Sequence, residues 1–313
     1  MTDKDAIHLL TPALVEQNPF LAIRVLGQSS RLAKPLGWHY LFDLVWILRE
    51  LESLKPGSTV LEVGAGMGLL QFLLADSGYK VISADMGLRR PFAATEHLYR
   101  FGEMGTSGEI DHDYLKHHER ATKPGVGLPT LNGILDASPR KALRAVRKLL
   151  KQDPVRKQKP ATKEDRPEIT LYRCDASNMA ELKDNSVDAA VSVSALEHNP
   201  AEKVREINRE CLRIVKPGGP ILHTVSAVKE GSAFHEESFS YLLDEAGLTE
   251  AYDLQSPESN FADFDAVFAA IQEGRFLKDC LGHGYYGSGR NGMPWGIWNP
   301  AYQPVGVKKV VTE

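Results

Sequence analysis

The stretch "VLEVGAGMGLLQFLL", from Val60 to Leu74, joins two apolar runs through a glycine-rich turn. The first run predicts a short buried strand, and the second has helical spacing and ends at Gly78. The next segment, "KVISAD", predicts another strand, which ends at Asp85. Together these segments predict a βαβ unit with a parallel crossover. A glycine turn between a strand and a helix of this kind is typical of nucleotide binding.

The later part of the chain repeats the alternation of strands and helices. A doubly wound, mostly parallel α/β sheet is therefore predicted. The C-terminal segment is expected to close the sheet at an edge. The supporting segments are "EITLYRCD" (168–175), "VDAAVSVSAL" (187–196), "AEKVREINRECLRIV" (201–215), "PILHTVS" (220–226) and "PVGVKKVVT" (304–312).

Two regions interrupt the alternation of strands and helices, and they define the predicted domain organisation. We predict an N-terminal helical segment or lid over residues 1–55 and a core over residues 56–98 and 168–313. An inserted cap, part ordered and part mobile, is predicted over residues 99–167, which exceed what a crossover needs. The segment 281–304 is rich in glycine and aromatic residues, so it is expected to wrap over the site as a loop.

The composition narrows the class of protein. The chain has 313 residues with a net charge of −4, which argues against a general nucleic-acid binder. Its three cysteines contain no metal-binding or redox spacing. The N-terminus lacks the pattern of a secretory signal, and no apolar run approaches the roughly 20 residues that span a bilayer. We expect a cytoplasmic protein, with contact to the inner membrane face as an open alternative.

The glycine spacing separates three kinds of nucleotide. Gly64, Gly66 and Gly68 follow an acid, and the third position of the dinucleotide fingerprint is Leu69 instead of glycine. The P-loop is also excluded, because no Gly-Lys-Ser/Thr follows. Asp85 lies 21 positions after Gly64 and ends the next strand, where a carboxylate accepts hydrogen bonds from a ribose.

Five elements in series resemble the class I S-adenosylmethionine (SAM)-dependent methyltransferases of the methyltransferase type 11-like kind. They are "LEVGAGMG" (61–68), "ISADM" (82–86), "RCDASNM" (173–179), "VDAAVSVSALEHN" (187–199) and "RIVKPGGPILHT" (213–224). A narrower resemblance, to methyltransferases encoded with bacterial surface-polysaccharide genes, rests on "GWHYLFDLVWILRE" (37–50) and "GLLQFLLADSGYKVIS" (68–83). The resemblance implies a Rossmann-like sheet of seven strands and SAM as the cofactor.

The resemblance also implies roles for individual residues. Glu62 would receive the methionine ammonium, Asp85 the ribose hydroxyls, and Asp175 the rim of the adenine. The glycines leave room for the cofactor against bare backbone. The expected cofactor-binding residues are Glu62, Gly64, Ala65, Gly66, Gly68, Asp85, Met86, Asp175, Ala176 and Ser194.

Candidate catalytic residues lie at the expected carboxyl edge of the sheet. A hydroxyl acceptor needs its proton removed, and histidine is the usual base near neutral pH. His198, with the neighbouring Glu197, is the first candidate base, and His223 is the second. The competing interpretations are that Glu197 caps a helix, that His198 only packs, and that His223 is a buried histidine bonded to backbone.

Expected acceptor-binding residues come from both ends of the chain. They are Trp38, His39, Tyr40, His235, Tyr285 and Tyr286. For the first three, docking of the following helix is an equally good explanation. The segment "EIDHDYLKHHER" (109–120) gathers acids and histidines, but its spacing matches no recognised site, so no metal is predicted.

A cationic amphipathic helix is predicted over residues 140–151. One interpretation is a helix packed on the body with a solvated face. The other is contact with anionic lipid or with a phosphate-bearing substrate. RNA would suit the charge, but the net negative chain and the lack of a recognisable RNA-binding module argue against it.

The leading hypothesis is a SAM-dependent methyltransferase that methylates an oxygen of a sugar, a glycan or another small polar acceptor. The transfer would be a direct in-line displacement assisted by a histidine base. A methyltransferase for a natural product or RNA is the alternative within enzymes. The sequence "SALEH" (194–198) stands where base-amine methylating enzymes carry Asn/Asp-Pro-Pro-Tyr. A SAM-binding regulatory protein is the alternative outside enzymes.

Overall fold

The computed structural model describes residues 4–312, apart from positions 33, 35, 88, 90–92, 108–161, 163, 237 and 274–298. The strands are β1 (Ala6–Leu9), β2 (Thr59–Val63), β3 (Lys80–Asp85), β4 (Arg100–Ser107), β5 (Glu168–Cys174), β6 (Ala189–Val193), β7 (Pro220–Ala227), β8 (Ala233–His235), β9 (Ser240–Leu242), β10 (Glu258–Ser259) and β11 (Gln303–Val310). The helices are α1 (Pro12–Gln17), α2 (Pro19–Arg31), α3 (Tyr40–Glu50), α4 (Leu70–Asp76), α5 (Ala93–Glu96), α6 (Ala201–Ile214), α7 (Glu245–Ala251) and α8 (Phe264–Glu273). Short 3-10 turns lie at Leu196–His198 and Phe261–Asp263.

The central sheet has nine strands in the order β10-β1-β11-β7-β6-β2-β3-β5-β4. Within it, β11 runs antiparallel to both of its neighbours, and the other pairings are parallel. The predicted doubly wound, mostly parallel sheet is therefore confirmed. The sheet has nine strands instead of the seven that the resemblance implies, and β1, β4 and β10 are strands that no segment of the sequence predicted. The strand β11 also lies inside the sheet, between β7 and β1, and not at an edge.

The strand before the glycine turn is buried on both faces. Val60 packs into the core layer that contains α3 and α4, and Leu61 packs into the opposite layer with α6. This two-sided burial is the reason why the strand is a continuous apolar run. The order of the strands reverses between β2 and β6, so a crevice opens at their carboxyl ends.

The N-terminal segment contributes a strand as well as the predicted helices. Residues Ala6–Leu9 pair with β11, and Leu9 lies opposite Val305. The Asp5 carboxylate fixes this end, since it accepts the amide of Val310 at 3.0 Å and forms a buried ion pair with Lys309 at 3.0 Å. The N-terminal segment therefore contributes the strand β1 to the sheet in addition to the predicted helices.

Part of the segment predicted as a cap, residues 99–167, belongs to the sheet. Arg100–Ser107 forms the outer strand β4, parallel to β5. The segments 109–120 and 140–151 lie outside the described residues. None of the helices in the described part of the chain is both long enough and apolar enough to cross a membrane.

Candidate functional site

The glycine turn after β2 has backbone conformations and close contacts that disfavour side chains at its glycine positions. Gly64 and Gly66 have φ values of +67° and +49°, in the left-handed region that favours glycine. A Cβ on Gly64 would lie 2.5 Å from the Cβ of Ala195, and a Cβ on Gly68 would lie 2.9 Å from the Ala65 carbonyl oxygen. The turn after β2 therefore touches the turn after β6 directly.

Glu62 lies beneath this turn and is only 2% exposed. Its Oε2 atom has no hydrogen-bond partner among the described residues. Burial raises the pKa of Glu62 to about 8; the charge of Arg89 opposes this shift and that of Asp85 adds to it. A buried carboxyl group with an open acceptor fits a cationic ligand such as the methionine ammonium of SAM, which would supply the missing partner.

Asp85 joins the glycine turn to the segment after β3. The amides of Gly66 and Gly87 each donate to one of its carboxylate oxygens at 2.7 Å. Each oxygen keeps a second lone pair, so ribose hydroxyls can still donate to it. The neighbouring Met86 is held by its carbonyl, which accepts from Arg173 Nε at 3.2 Å. This geometry fits the expected role of Asp85.

Asp175 is engaged by the protein itself. One of its oxygens accepts from the amide and hydroxyl of Ser177 at 2.9 Å, and the other accepts from Lys203 at 3.0 Å. Burial raises the pKa of Asp175, but the bonds from Ser177 and Lys203 outweigh it and bring the pKa below its usual value. Asp175 and Ala176 lie at the carboxyl end of β5, where the adenine is expected, and the contact itself stays a prediction.

Arg89 was not predicted, and it braces the glycine turn from behind. Its guanidinium donates to the Gly66 carbonyl at 3.3 Å and to the Ser83 hydroxyl at 2.6 Å. Gln71 continues this network, since it accepts from Ser83 and donates to the Gly68 carbonyl. No motif flags Arg89, because an arginine after a strand is common in loops.

The turn after β6 is held in a strained conformation. Ser194 is not glycine, yet it has a φ of +44°. Its amide donates to the Thr224 carbonyl at 2.9 Å, and its hydroxyl lies 3.4 Å from Asp43 Oδ2 on α3. Strain of this kind persists only where surrounding contacts hold it and often marks a functional site.

Asp43 also pairs with His39, one turn earlier at the start of α3. His39 Nδ1 lies 2.7 Å from Asp43 Oδ2, and both side chains are buried. Burial lowers the pKa of His39, but the charge and hydrogen bond of Asp43, with the charge of Glu197, raise it above the usual value. Asp43 was not among the predicted residues, although it is an acid on an otherwise apolar helix, four residues after a histidine.

The two residues of the 3-10 turn after β6 have different environments. Glu197 is buried and accepts from the Ser226 amide at 2.7 Å and from the Ser226 hydroxyl at 3.1 Å, so it anchors the turn to β7. His198 Nδ1 lies 2.9 Å from the Phe239 carbonyl oxygen. A carbonyl only accepts, so Nδ1 donates, and His198 holds the β8–β9 hairpin (Ala233–Leu242) against this turn.

His223 is not at the carboxyl edge. It is fully buried in β7, its ring lies 5.1 Å from that of Tyr252, and neither ring nitrogen has a hydrogen-bond partner in the described chain. Burial lowers the pKa of His223 to about 3. The second candidate base is therefore withdrawn, because a neutral histidine in the apolar core cannot reach an acceptor. The competing backbone bond is also not found.

A cluster of aromatic and histidine rings contains several of the residues predicted to bind the acceptor. The Tyr302 ring lies 5.7 Å from Trp38, 5.7 Å from His39 and 6.3 Å from His235. Tyr40 packs on His39 at 4.6 Å. Tyr302 was missed, although it belongs to the aromatic-rich segment that was expected to cover the site. The predicted residues Tyr285 and Tyr286 lie outside the described residues.

Comparison with known proteins gives a match to one family model. The model described as "Methyltransferase domain" matches residues 135–223. This match contains the turns after β5 and β6 and ends within β7, while the glycine turn lies before it. No curated protein matches the chain.

Several solved structures are similar over long stretches. Phosphoethanolamine N-methyltransferase 2 of Haemonchus contortus, solved with SAM, is 14% identical over 96% of this chain and 60% of its own, with a TM-score of 0.44. Geranyl diphosphate C-methyltransferase of Streptomyces coelicolor A3(2) is 10% identical over 88% and 77%, with a TM-score of 0.41. A Pyrococcus horikoshii OT3 protein is 14% identical over 59% and 53%, with a TM-score of 0.31. The chain thus spans less than two thirds of the first and third structures.

The family model, the mostly parallel sheet and the position of the glycine turn, where the strand order reverses between β2 and β6, all indicate the same kind of protein. The buried Glu62 and the glycines fit the cofactor that the family uses. Together they confirm the predicted resemblance to the class I SAM-dependent methyltransferases, and SAM is the cofactor.

Proposed function

We propose that this protein transfers the methyl group of SAM to a hydroxyl group of a sugar, a glycan or another small polar acceptor. One observation carries the proposal. The glycine turn, with its open Glu62 carboxyl, contacts the turn after β6 at Gly64 and Ala195. A cluster of histidine and aromatic rings is linked to that second turn through Asp43, which contacts both His39 and Ser194.

The chain's part in the reaction is to hold and to align. SAM, when bound, supplies a methyl group that is already activated on a positive sulfur. Glu62 would hold its ammonium and Asp85 its ribose, while the bare backbone at Gly64 and Gly66 allows close approach. Fixing both reactants in line is the main source of acceleration in such a displacement.

The acceptor side suits a polar molecule with an apolar face. Tyr302, Trp38 and His39 form a buried cluster of rings that would contact the acceptor. Aromatic rings present apolar faces with polar edges, which matches the alternation on a sugar ring. His39 and His198 both lie at this edge and can take a proton from a hydroxyl.

A radiolabel assay tests the proposed function. Protein is incubated with methyl-labelled SAM and a panel of nucleotide sugars, methyl glycosides and RNA, and label transfer is measured for each. Label in a sugar is expected, and it should vanish in the Glu62→Gln variant. Transfer to RNA alone would replace the glycan proposal, and tight SAM binding without transfer to any acceptor would favour a regulatory protein.

Two further expectations accompany this proposal. The basic segment 140–151 would bring the enzyme to anionic lipid or to a phosphate group on its acceptor, and the protein would work in the cytoplasm. Flotation with vesicles of anionic and of neutral phospholipid would measure the first of these. Recovery of the protein with anionic vesicles, and not with neutral ones, is the expected result.

A further inference from the structure

We propose that His39 and Asp43 on α3 form the general-base pair of this enzyme: Asp43 orients the imidazole, and His39 Nε2 takes the proton of the acceptor hydroxyl. The inference rests on the proposed function, since it assigns the base for that reaction. It replaces the expectation that His198 is the base.

The orientation of His39 follows from its partner. Nδ1 lies 2.7 Å from Asp43 Oδ2, and an ionised carboxylate only accepts, so Nδ1 carries the hydrogen. Nε2 then carries the lone pair that a base needs. In the part of the chain that the structure describes, Nε2 makes no hydrogen bond. The two residues are four apart, so the helix itself presents both on one side.

The pair of His39 and Asp43 lies close to the contact between the glycine turn and the turn after β6. Asp43 Oδ2 also lies 3.4 Å from the Ser194 hydroxyl. The next residue, Ala195, is the one that presses against Gly64 of the glycine turn. Asp43 is therefore tied to the residue adjacent to the contact between the cofactor turn and the turn after β6. The strained φ of Ser194 shows that this arrangement is held by its surroundings.

The charges around His39 suit an imidazole that becomes protonated. Asp43 and Tyr40 face it from α3, Glu197 from the turn after β6, and Tyr302 from the segment before β11, while His235 of the hairpin contacts Tyr302. Asp43 Oδ1 is buried without a partner among the described residues. The nearby carboxylates would stabilise the imidazolium that forms on proton transfer.

His198 has a different second contact. Its Nδ1 donates to a neutral carbonyl, that of Phe239, so no carboxylate orients it through that nitrogen. This bond fastens the hairpin that carries His235. We assign His198 to positioning of the hairpin, where it shapes the acceptor site.

The step balances in atoms and charge. The acceptor oxygen forms a bond to the methyl carbon, and the carbon–sulfur bond breaks with its electron pair left on sulfur. The sulfur becomes a neutral thioether, and the hydroxyl proton moves to His39 Nε2. The positive charge of the sulfonium is thereby replaced by that of the imidazolium, next to Asp43. The proton then passes to solvent after the product has left.

The test compares His39→Gln, Asp43→Asn and His198→Gln, using a sugar that wild-type protein methylates in the radiolabel assay. Loss of a general base costs roughly 10²- to 10⁴-fold in rate, so kcat of His39→Gln should fall by that factor. Its Kd for S-adenosylhomocysteine should stay within about threefold of wild type, which shows an intact cofactor site. His198→Gln should mainly raise KM for the sugar. The exposed His97→Gln is the matched control.

The pH profile separates a base from a merely structural residue. The rate should rise with pH as His39 loses its proton and then reach a plateau. Asp43→Asn should lower the plateau and move the rising limb to lower pH, because the carboxylate no longer favours the protonated ring. Histidine NMR titration of the free protein should show the same downward movement for His39.

The outcomes are distinct. Unchanged kcat in His39→Gln, or a loss of kcat confined to His198→Gln, would overturn the assignment of the base. If the NMR titration of His39 is the same in wild type and in Asp43→Asn, the proposed interaction between the two residues is wrong, even if a variant lost activity. If wild-type protein methylates no acceptor at all, the proposed function fails and takes the base role with it, while the titration still decides whether the pair exists.

Discussion

The two sides of the crevice are built by different means. On the cofactor side, at the carboxyl ends of β2, β3 and β5, contacts run through main-chain amides and through residues close in sequence, such as Gly66 and Asp85. On the acceptor side, at the ends of β6 and β7, side chains from distant segments converge, as His39 and Tyr302 do. A site built from main-chain amides needs particular residues at neighbouring positions, so it leaves a motif in the sequence. A site built from side chains of distant segments leaves no such local motif.

The largest effect is expected where the two sides touch. Alanine at Gly64 would strain a left-handed backbone and drive its Cβ against Ala195. We expect Gly64→Ala to abolish measurable SAM binding by calorimetry and to lower stability by roughly 1–3 kcal/mol. Gly57→Ala is the matched control, because Gly57 has a φ of +88° but nothing within 4 Å of the added Cβ. Equal behaviour of the two variants would mean that the contact between the sides is unimportant.

The next effect separates binding from stability on the cofactor side. Glu62→Gln removes the charge that pairs with the ammonium, so SAM affinity should fall by roughly 30-fold or more. The pKa of Glu62 is raised by burial to about 8, so folding loses stability as pH rises from about 4.5 to 8. Gln does not titrate, so the free variant should melt higher than wild type at pH 8 and by a smaller margin at pH 5. Thermal melts at both pH values check this, and a variant that melts lower at pH 8 contradicts it.

A smaller loss is expected at Asp85. Asp85→Asn keeps one acceptor oxygen and loses one charge-assisted bond, which is worth roughly 1.5–3 kcal/mol, so SAM affinity should fall about 10- to 100-fold. Calorimetry measures the affinity, and Asp175→Asn provides the comparison. Asp175 already binds Ser177 and Lys203, so its replacement should weaken SAM less. The reverse order would move the main cofactor contact from β3 to β5.

No effect on catalysis is expected at His223, far from both sides of the comparison. His223→Leu should leave kcat and SAM affinity unchanged, because the ring lies in the apolar core. Its pKa is lowered to about 3 by burial, so wild type loses stability as pH falls from about 6.5 towards 3, when the unfolded chain takes up the proton. The variant should therefore resist acid unfolding better, which circular dichroism would follow. A loss of activity would restore His223 as a catalytic candidate.

The same contrast explains what the sequence could predict. The βαβ unit around Glu62, the glycines and Asp85 is local, and its apolar runs and turn residues state its structure directly. The strand β1 was missed because "AIHL" is four residues long and its pairing partner lies at the other end of the chain. No local pattern announces such a pairing.

The acceptor side was predicted in parts and without its geometry. Trp38, His39, Tyr40 and His235 were named; the structure places Trp38, His39 and His235 against Tyr302, which was not named, and Tyr40 against His39. Asp43 was not singled out from the sequence, although its distance of four residues from His39 was a readable signal. His223 failed because a histidine in a strand looks the same whether it faces a crevice or a core.

The placement of β11 between β1 and β7 has a consequence for how the protein is made. The strand β1 at Ala6–Leu9 is made before the other strands of the described sheet, yet the strand that pairs with it, Gln303–Val310, is made after them. Until β11 is made, β1 cannot join the sheet beside β7, because β11 is the strand that lies between them. Contacts of such long sequence separation slow folding. The nascent chain therefore exposes an open edge of β7 from the time β7 is made until β11 is made, and chaperones would have their main access to it in that interval.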